Sequence, residues 1–195
     1  MKKRRDYTMD RESCLYTDLE RVLIDEGEIH RAVEQLGKRI TLDYQGKEPV
    51  FVCILKGAVM FFTDLMRQVD LPITTDFMAI SSYGSSTKTS GVVRLIKDLD
   101  HDVLNKDVLV IEDIVDSGLT LSYIKKVLSE RGAKSVRLAT LLDKPVRRKT
   151  ELEVDYACFK IPNEFVVGYG LDYNERYRNL PVIGVLHPRI YSDAT

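Results

Sequence analysis

Residues 108–120, VLVIEDIVDSGLT, constrain this chain more than any other stretch. An apolar run breaks into two adjacent acids, Glu112 and Asp113, then a third, Asp116, followed by Ser117, Gly118, Leu119 and Thr120. Beyond it Leu121, Ile124, Val127 and Leu128 recur at helical spacing, with Lys125, Lys126, Glu130 and Arg131 between them and Gly132 as a stop. A buried strand over residues 108–111 that enters such a helix through a short turn is half of a βαβ unit. The free N–H groups at the helix start favour an anion. Ser117, Gly118 and Thr120 suit a monophosphate there, because glycine lets the backbone come close and the hydroxyls can donate. Glu112, Asp113 and Asp116 would repel that same phosphate. The conflict resolves if the ligand also carries hydroxyls and a metal: a ribose diol donates to carboxylates, and Mg²⁺ sits against them or against further phosphates. Neither G-x-x-x-x-G-K-[ST] nor G-x-G-x-x-G at a strand end is present, so a sugar phosphate fits better than a bare nucleoside triphosphate. Taken singly, each residue could be a strand end or a helix cap. As an ordered set, the acids at the mouth of a buried strand serve no structural need.

The rest of the composition narrows the class. A length of 195 residues predicts a single domain, 1–195, and 44% apolar content is ample for its core. A net charge of −1 gives no global field toward nucleic acid or membrane. The basic start, Met1 to Arg5, has no apolar segment after it and reads as a frayed terminus, not a secretory signal. No apolar stretch approaches the roughly 20 residues that span a bilayer. Cys14, Cys53 and Cys158 are odd in number and share no ligand spacing, which predicts reduced thiols in the cytoplasm and no zinc site.

Along the chain, residues 15–24 are mixed and fit either a short strand or a covering segment. Asp25 and Glu28 have capping-box spacing, and Ile29, Ala32, Val33, Leu36 and Ile40 then define an amphipathic helix ending near residues 43–46. His30 falls off that stripe and reads as solvated. Residues 50–55 form an apolar run of buried-strand type, stopped by Lys56 and Gly57, and residues 58–69 resume helical spacing. A strand over 73–80 leads into a loop over 81–91, too rich in Ser, Thr and Gly to pack, with a return strand over 92–96. His101 lies in a polar linker without evident role. Residues 136–142 are another buried strand, ending in Asp143, Lys144 and Pro145. Lys144 is thereby at the carboxyl end of a parallel strand, where open α/β sheets collect ligands. The basic residues 147–149 read as a solvated turn, and residues 156–159, 165–169 and 182–186 as strands.

Residues 111–120, IEDIVDSGLT, resemble the phosphoribosyl pyrophosphate (PRPP) motif of the type I phosphoribosyltransferases, and residues 161–180, IPNEFVVGYGLDYNERYRNL, resemble the purine-side segment of their hypoxanthine-guanine branch. With the block over 55–57 the resemblance runs from about residue 50 to residue 186, and the end after Val185 looks like the compact bacterial members. It implies an α/β fold of the type I phosphoribosyltransferase kind: a central, mainly parallel sheet flanked by helices, with a small hood over the purine site. It implies transfer of the 5-phosphoribosyl group from PRPP to N9 of hypoxanthine, and of guanine, with release of pyrophosphate. Glu112 and Asp113 would hold the ribose hydroxyls, and Asp116, Ser117, Gly118, Leu119 and Thr120 the 5′-phosphate. Asp116 would double as the acid or base near N7. Lys144 would contact O6, Phe165 stack on the ring, and the Val166 backbone read its edge. Asp172, at the purine-binding segment, would join Mg²⁺, with Glu112 and Asp113 as further candidate metal ligands. Lys56, Gly57 and Arg178 would receive pyrophosphate, across a Leu55–Lys56 peptide that can be cis. Ser82 and Tyr83 would begin a lid. The resemblance also implies a homodimer or homotetramer. The rivals are a xanthine-guanine enzyme and an RNA-binding regulator of the same fold; the second needs a basic face, and the chain has 29 basic against 30 acidic residues.

Overall fold

The computed structural model describes residues 15–82 and 93–192. In chain order they form β1 (Leu19–Ile24), α1 (Glu26–Asp43), β2 (Val50–Leu55), α2 (Val59–Met66), β3 (Thr74–Ser82), β4 (Val93–Lys97) and β5 (Asp107–Val115). There follow α3 (Leu119–Glu130), β6 (Ser135–Asp143), β7 (Tyr156–Lys160), β8 (Val166–Val167), β9 (Ile183–Leu186) and α4 (Pro188–Tyr191). A six-stranded sheet has the order β4-β3-β2-β5-β6-β7, and all its pairs are parallel except β3 with β4. Strand order reverses on either side of β2 and β5, which brings the carboxyl ends of these two strands together as the natural ligand crevice.

Side chains alternate across this sheet, and both faces are covered. Phe51, Cys53, Leu109, Ile111, Ala139 and Leu141 face one way and pack with Ile29, Val33, Leu36 and Ile40 of α1 and Phe61, Phe62 and Leu65 of α2. Val50, Val52, Ile54, Val108, Val110 and Leu138 face the other way, toward Leu121, Ile124 and Leu128 of α3. Burial on both faces is why β2 and the start of β5 read as unbroken apolar runs. Burying one such side chain contributes about 1.5–3 kcal/mol. The predicted capping box starts α1: Glu28 N–H donates to Asp25 Oδ1 at 2.7 Å, and Asp25 N–H donates to Glu28 Oε2 at 2.9 Å.

A second, antiparallel sheet, β1-β9-β8, forms the hood. It resolves the open reading of residues 15–24, whose strand pairs with β9 from the far end of the chain. Val167, Tyr177, Leu180 and Leu186 form its small core, and the Tyr177 hydroxyl donates to Asp18 at 2.8 Å.

Three expectations need adjustment. The strand expected over 165–169 is only Val166–Val167, because Gly168, Tyr169 and Gly170 turn away with φ of +102°, +47° and +101°. The helix expected over 58–69 ends at Met66, where the Gln68 and Val69 N–H groups close turns onto Leu65 and Met66. His101 is not idle: its backbone N–H donates to the buried Asp76 carboxylate at 3.1 Å. Cys53 and Cys158 are free, and burial pushes each thiol up to about 12. Among the described residues no helix is long and apolar enough to cross a membrane. Cys14, Tyr83 and the Ser-rich loop as far as residue 92 lie outside the described residues, while Ser82 ends β3 opposite Val93.

Candidate active site

The site grows from the end of β5. Its last residues carry the acids out of the sheet, and the chain turns at Gly118, whose φ of +80° lets α3 start at Leu119. Around this turn lies a depression of about 130 Å³, lined by Glu112, Ile114, Val115, Asp116, Ser117, Gly118, Thr120 and Leu121. Ser117, Gly118 and Thr120 border this hollow together with the start of α3, whereas Leu119 is not part of the lining and its N–H donates to Ser117 Oγ at 3.5 Å. Ile114 was not singled out from the sequence, yet it shares this lining; its place in the alternation of β5 was the available signal.

Glu112 and Asp113 stay together as the strand ends. Glu112 is half-buried and its Oε2 finds no hydrogen-bond partner. Asp113 is buried, and its Oδ1 accepts from Ile114 N–H at 2.7 Å. Burial lifts the proton affinity of both carboxyls, and the neighbouring Asp113 lifts Glu112 well above the ordinary range.

Two further segments close on these acids. The Lys56–Gly57 turn follows β2 through a cis Leu55–Lys56 peptide. Gly57 lies so close to the Asp113 carboxylate that any Cβ would collide with it, and Gly170 is pressed in the same way against the Gly57 carbonyl. The turn over 168–178 is thereby stacked on the Lys56–Gly57 turn. Arg178 donates to the Gly170 carbonyl at 2.8 Å and pairs with Asp172 at 2.8 Å. Its charge also counteracts the effect of burial on Asp113. Glu175 joins Lys56 at 3.0 Å and Arg178 at 3.2 Å. It too went unremarked in the sequence, because Lys56 lies 119 positions away.

Lys144 directly follows β6, and its N–H donates to the Val115 carbonyl at the end of β5 at 2.9 Å. It is buried, its Nζ donates to the Glu164 carbonyl at 2.6 Å, and burial lowers its pKa. Phe165 follows Glu164 and is 40% exposed, with one face stacked on Tyr191 at 5.0 Å and Tyr173 edge-on at 5.7 Å. Val166 is buried in β8. Arg147 and Lys149 are exposed, as the reading of residues 147–149 as a solvated turn expects, but the run also makes specific contacts. Arg147 Nε pairs with Asp116 Oδ1 at 3.1 Å, Arg148 pairs with Asp143, and Lys149 N–H donates to the Ser117 carbonyl at 2.9 Å. Arg148 and Thr150 also fill the space that a side chain at position 118 would need. The run thus flanks the turn between β5 and α3 while two of its side chains stay exposed.

Among the described residues no three His, Cys, Asp or Glu side chains converge as a protein cage for a metal. The oxygen donors present, Asp172 and the Glu112–Asp113 pair, suit a hard ion that takes one or two carboxylates and draws its other ligands from phosphate and water. That is the donor set Mg²⁺ prefers when it arrives with a phosphorylated substrate.

The family described as phosphoribosyl transferase domain matches residues 23–174. The chain belongs to the phosphoribosyltransferase family. Within it, the chain is 53% identical over 174 residues to the hypoxanthine-guanine phosphoribosyltransferase of Bacillus subtilis (strain 168), covering 89% of this chain and 97% of that one. It is 55% identical over 179 residues to the bifunctional protein TilS/HprT of Listeria monocytogenes serotype 4b (strain F2365). That match covers 92% of this phosphoribosyltransferase chain, which spans only 28% of the bifunctional protein's length. Among solved structures, a hypoxanthine phosphoribosyltransferase from Staphylococcus aureus superposes with a TM-score of 0.89 at 50% identity, over 92% of this chain and 98% of that one. The α/β fold with its mainly parallel sheet is that of the type I phosphoribosyltransferases.

Proposed function

We propose that this chain is a purine-salvage enzyme that transfers the 5-phosphoribosyl group from PRPP to N9 of hypoxanthine or guanine. The observation that carries the reading is the packing of three turns into one crevice. Asp113 of β5 lies against Gly57, and the Gly57 carbonyl lies against Gly170, which supports assigning the ribose and diphosphate contacts to neighbouring turns.

In this reading the α3 turn, with the Leu119 and Thr120 N–H groups and the Ser117 and Thr120 hydroxyls, binds the 5′-phosphate. Glu112 and Asp113 accept hydrogen bonds from the ribose hydroxyls and tolerate the positive charge that develops on the sugar. Lys56, the Gly57 backbone and Arg178 neutralise the charge that grows on the leaving pyrophosphate. Asp172 would hold Mg²⁺ there, with Glu112 and Asp113 nearest the ribose side; the ion supplies further charge neutralisation on the diphosphate. Asp116 takes the purine proton at N7, which requires it to loosen its pairing with Arg147. Phe165 and Ile114 offer apolar faces to the ring, and the Val166 backbone reads its edge. Lys144 is a donor only, so it matches a 6-oxo group and opposes the amino group of adenine. The resemblance further supports a cytoplasmic homodimer or homotetramer, which sedimentation equilibrium would determine.

The test is pyrophosphate release from Mg-PRPP with hypoxanthine, guanine, xanthine and adenine in turn. Turnover is expected with hypoxanthine and guanine and should be poor with adenine. Activity confined to xanthine and guanine would shift the specificity, and silence with both hypoxanthine and guanine would reject the reading.

A further inference from the structure

The two cations assigned above to the diphosphate both face one carboxylate. Lys56 Nζ donates to Glu175 Oε2 at 3.0 Å, and Arg178 donates to Glu175 Oε1 at 3.2 Å. Each oxygen of a single side chain therefore meets a different cation, as adjacent oxygens of a diphosphate would. Lys56 and Glu175 are 119 positions apart, so their pairing is tertiary and not a product of local spacing. The backbone is committed to this placement: Asn174, Glu175 and Tyr177 have φ of +51°, +61° and +75°, a region that L side chains enter only at a cost. The Glu175 N–H donates to Asp172 Oδ2 at 2.9 Å, which ties the turn to the same Asp172–Arg178 pair. The Glu175 side chain is nevertheless 64% exposed, so it can swing into water without disturbing the core.

We propose that the Glu175 carboxylate acts as an internal anion that occupies Lys56 and Arg178 in the ligand-free protein and is displaced by the diphosphate of PRPP or by pyrophosphate. This rests on the reading of Lys56 and Arg178 as the diphosphate cations. A built-in competitor lowers the affinity of the incoming anion by the fraction of sites it holds. It also speeds release of pyrophosphate, because the cations have another partner to return to. Glu175 is thus a positioning residue that sets the balance between capture of the donor and release of the product.

The test is calorimetric titration of the full chain with inorganic pyrophosphate in the presence of Mg²⁺, for the wild type, Glu175→Gln and Glu175→Asp, alongside steady-state kinetics. Because two exposed ion pairs are lost, Glu175→Gln should bind pyrophosphate about three- to tenfold more tightly. It should also show a lower KM for PRPP together with a lower kcat. Glu175→Asp keeps the charge and should return toward wild-type values. An unchanged or weaker affinity in Glu175→Gln would mean that the carboxylate only shapes its turn, and would overturn the proposal while leaving the purine reading intact. Tighter pyrophosphate binding in a protein that turns over no 6-oxopurine would remove the purine reading and keep the proposal. If neither wild type nor variant binds pyrophosphate, both fall.

Discussion

Glu112 and Asp113 are consecutive on a strand that leaves the core, and the cost of keeping two acids there is legible in their proton affinities. Burial raises both, and Glu112 most, because Asp113 adds its own charge to the desolvation. The folded chain therefore binds a proton at Glu112 more tightly than the unfolded chain. That contribution to stability is fully present below the ordinary carboxyl value of 4.5 and is lost as pH rises through the raised folded value. Glu112→Gln removes the ionising group and lets an amide donate to Asp113. In urea unfolding without ligand it should be more stable than the wild type at alkaline pH, with the difference vanishing as pH falls to the ordinary carboxyl range. A difference that does not change with pH would show that Glu112 titrates alike in the folded and unfolded chains.

At the scale of elements, the site is three turns held in register by two glycines. Gly57 admits the Asp113 carboxylate, and Gly170 admits the Gly57 carbonyl at a φ of +101°, so a side chain at position 170 is refused twice. Gly170→Ala should destabilise the fold by about 1–3 kcal/mol and raise the KM for PRPP, read by thermal unfolding and by kinetics. Loss of stability with an unchanged KM would mean that the turns keep their mutual position without this contact. These contacts also mark where the sequence stopped being informative. Strands β2 and β5 and helices α1 and α3 were legible because burial on fixed faces writes a period into the chain. β1 was not, since its pairing with β9 depends on residues at the other end of the sequence. β8 was overextended because Phe165 to Tyr169 is apolar enough for a strand, while the positive φ at Gly168 and Tyr169 is a backbone property that hydropathy does not carry. The family motifs named most of the candidate site. Arg147 and Glu175 escaped because an exposed charge discloses its partner only in three dimensions.

The whole molecule divides the proposed reaction between its two sheets. The large sheet presents the turns assigned to PRPP, and the hood presents Phe165 for the base, propped by Tyr191 from α4. Tyr191 reaches no phosphate-side residue among its described ring contacts except through Tyr173, 6.4 Å away. An aromatic pair of this kind contributes about 0.5–1.5 kcal/mol beyond its buried area. Tyr191→Leu should therefore raise the KM for hypoxanthine by about two- to tenfold and leave calorimetric affinity for Mg-PRPP nearly unchanged. Three outcomes separate the possible roles. A selective rise in the hypoxanthine KM makes Tyr191 a prop that aims Phe165 at the base. An equal loss of PRPP affinity would place its effect on Tyr173 and the turn that carries Asp172 and Arg178. A lower KM would mean that Tyr191 covers the face of Phe165 that the purine needs, so that the end of α4 yields as the base enters.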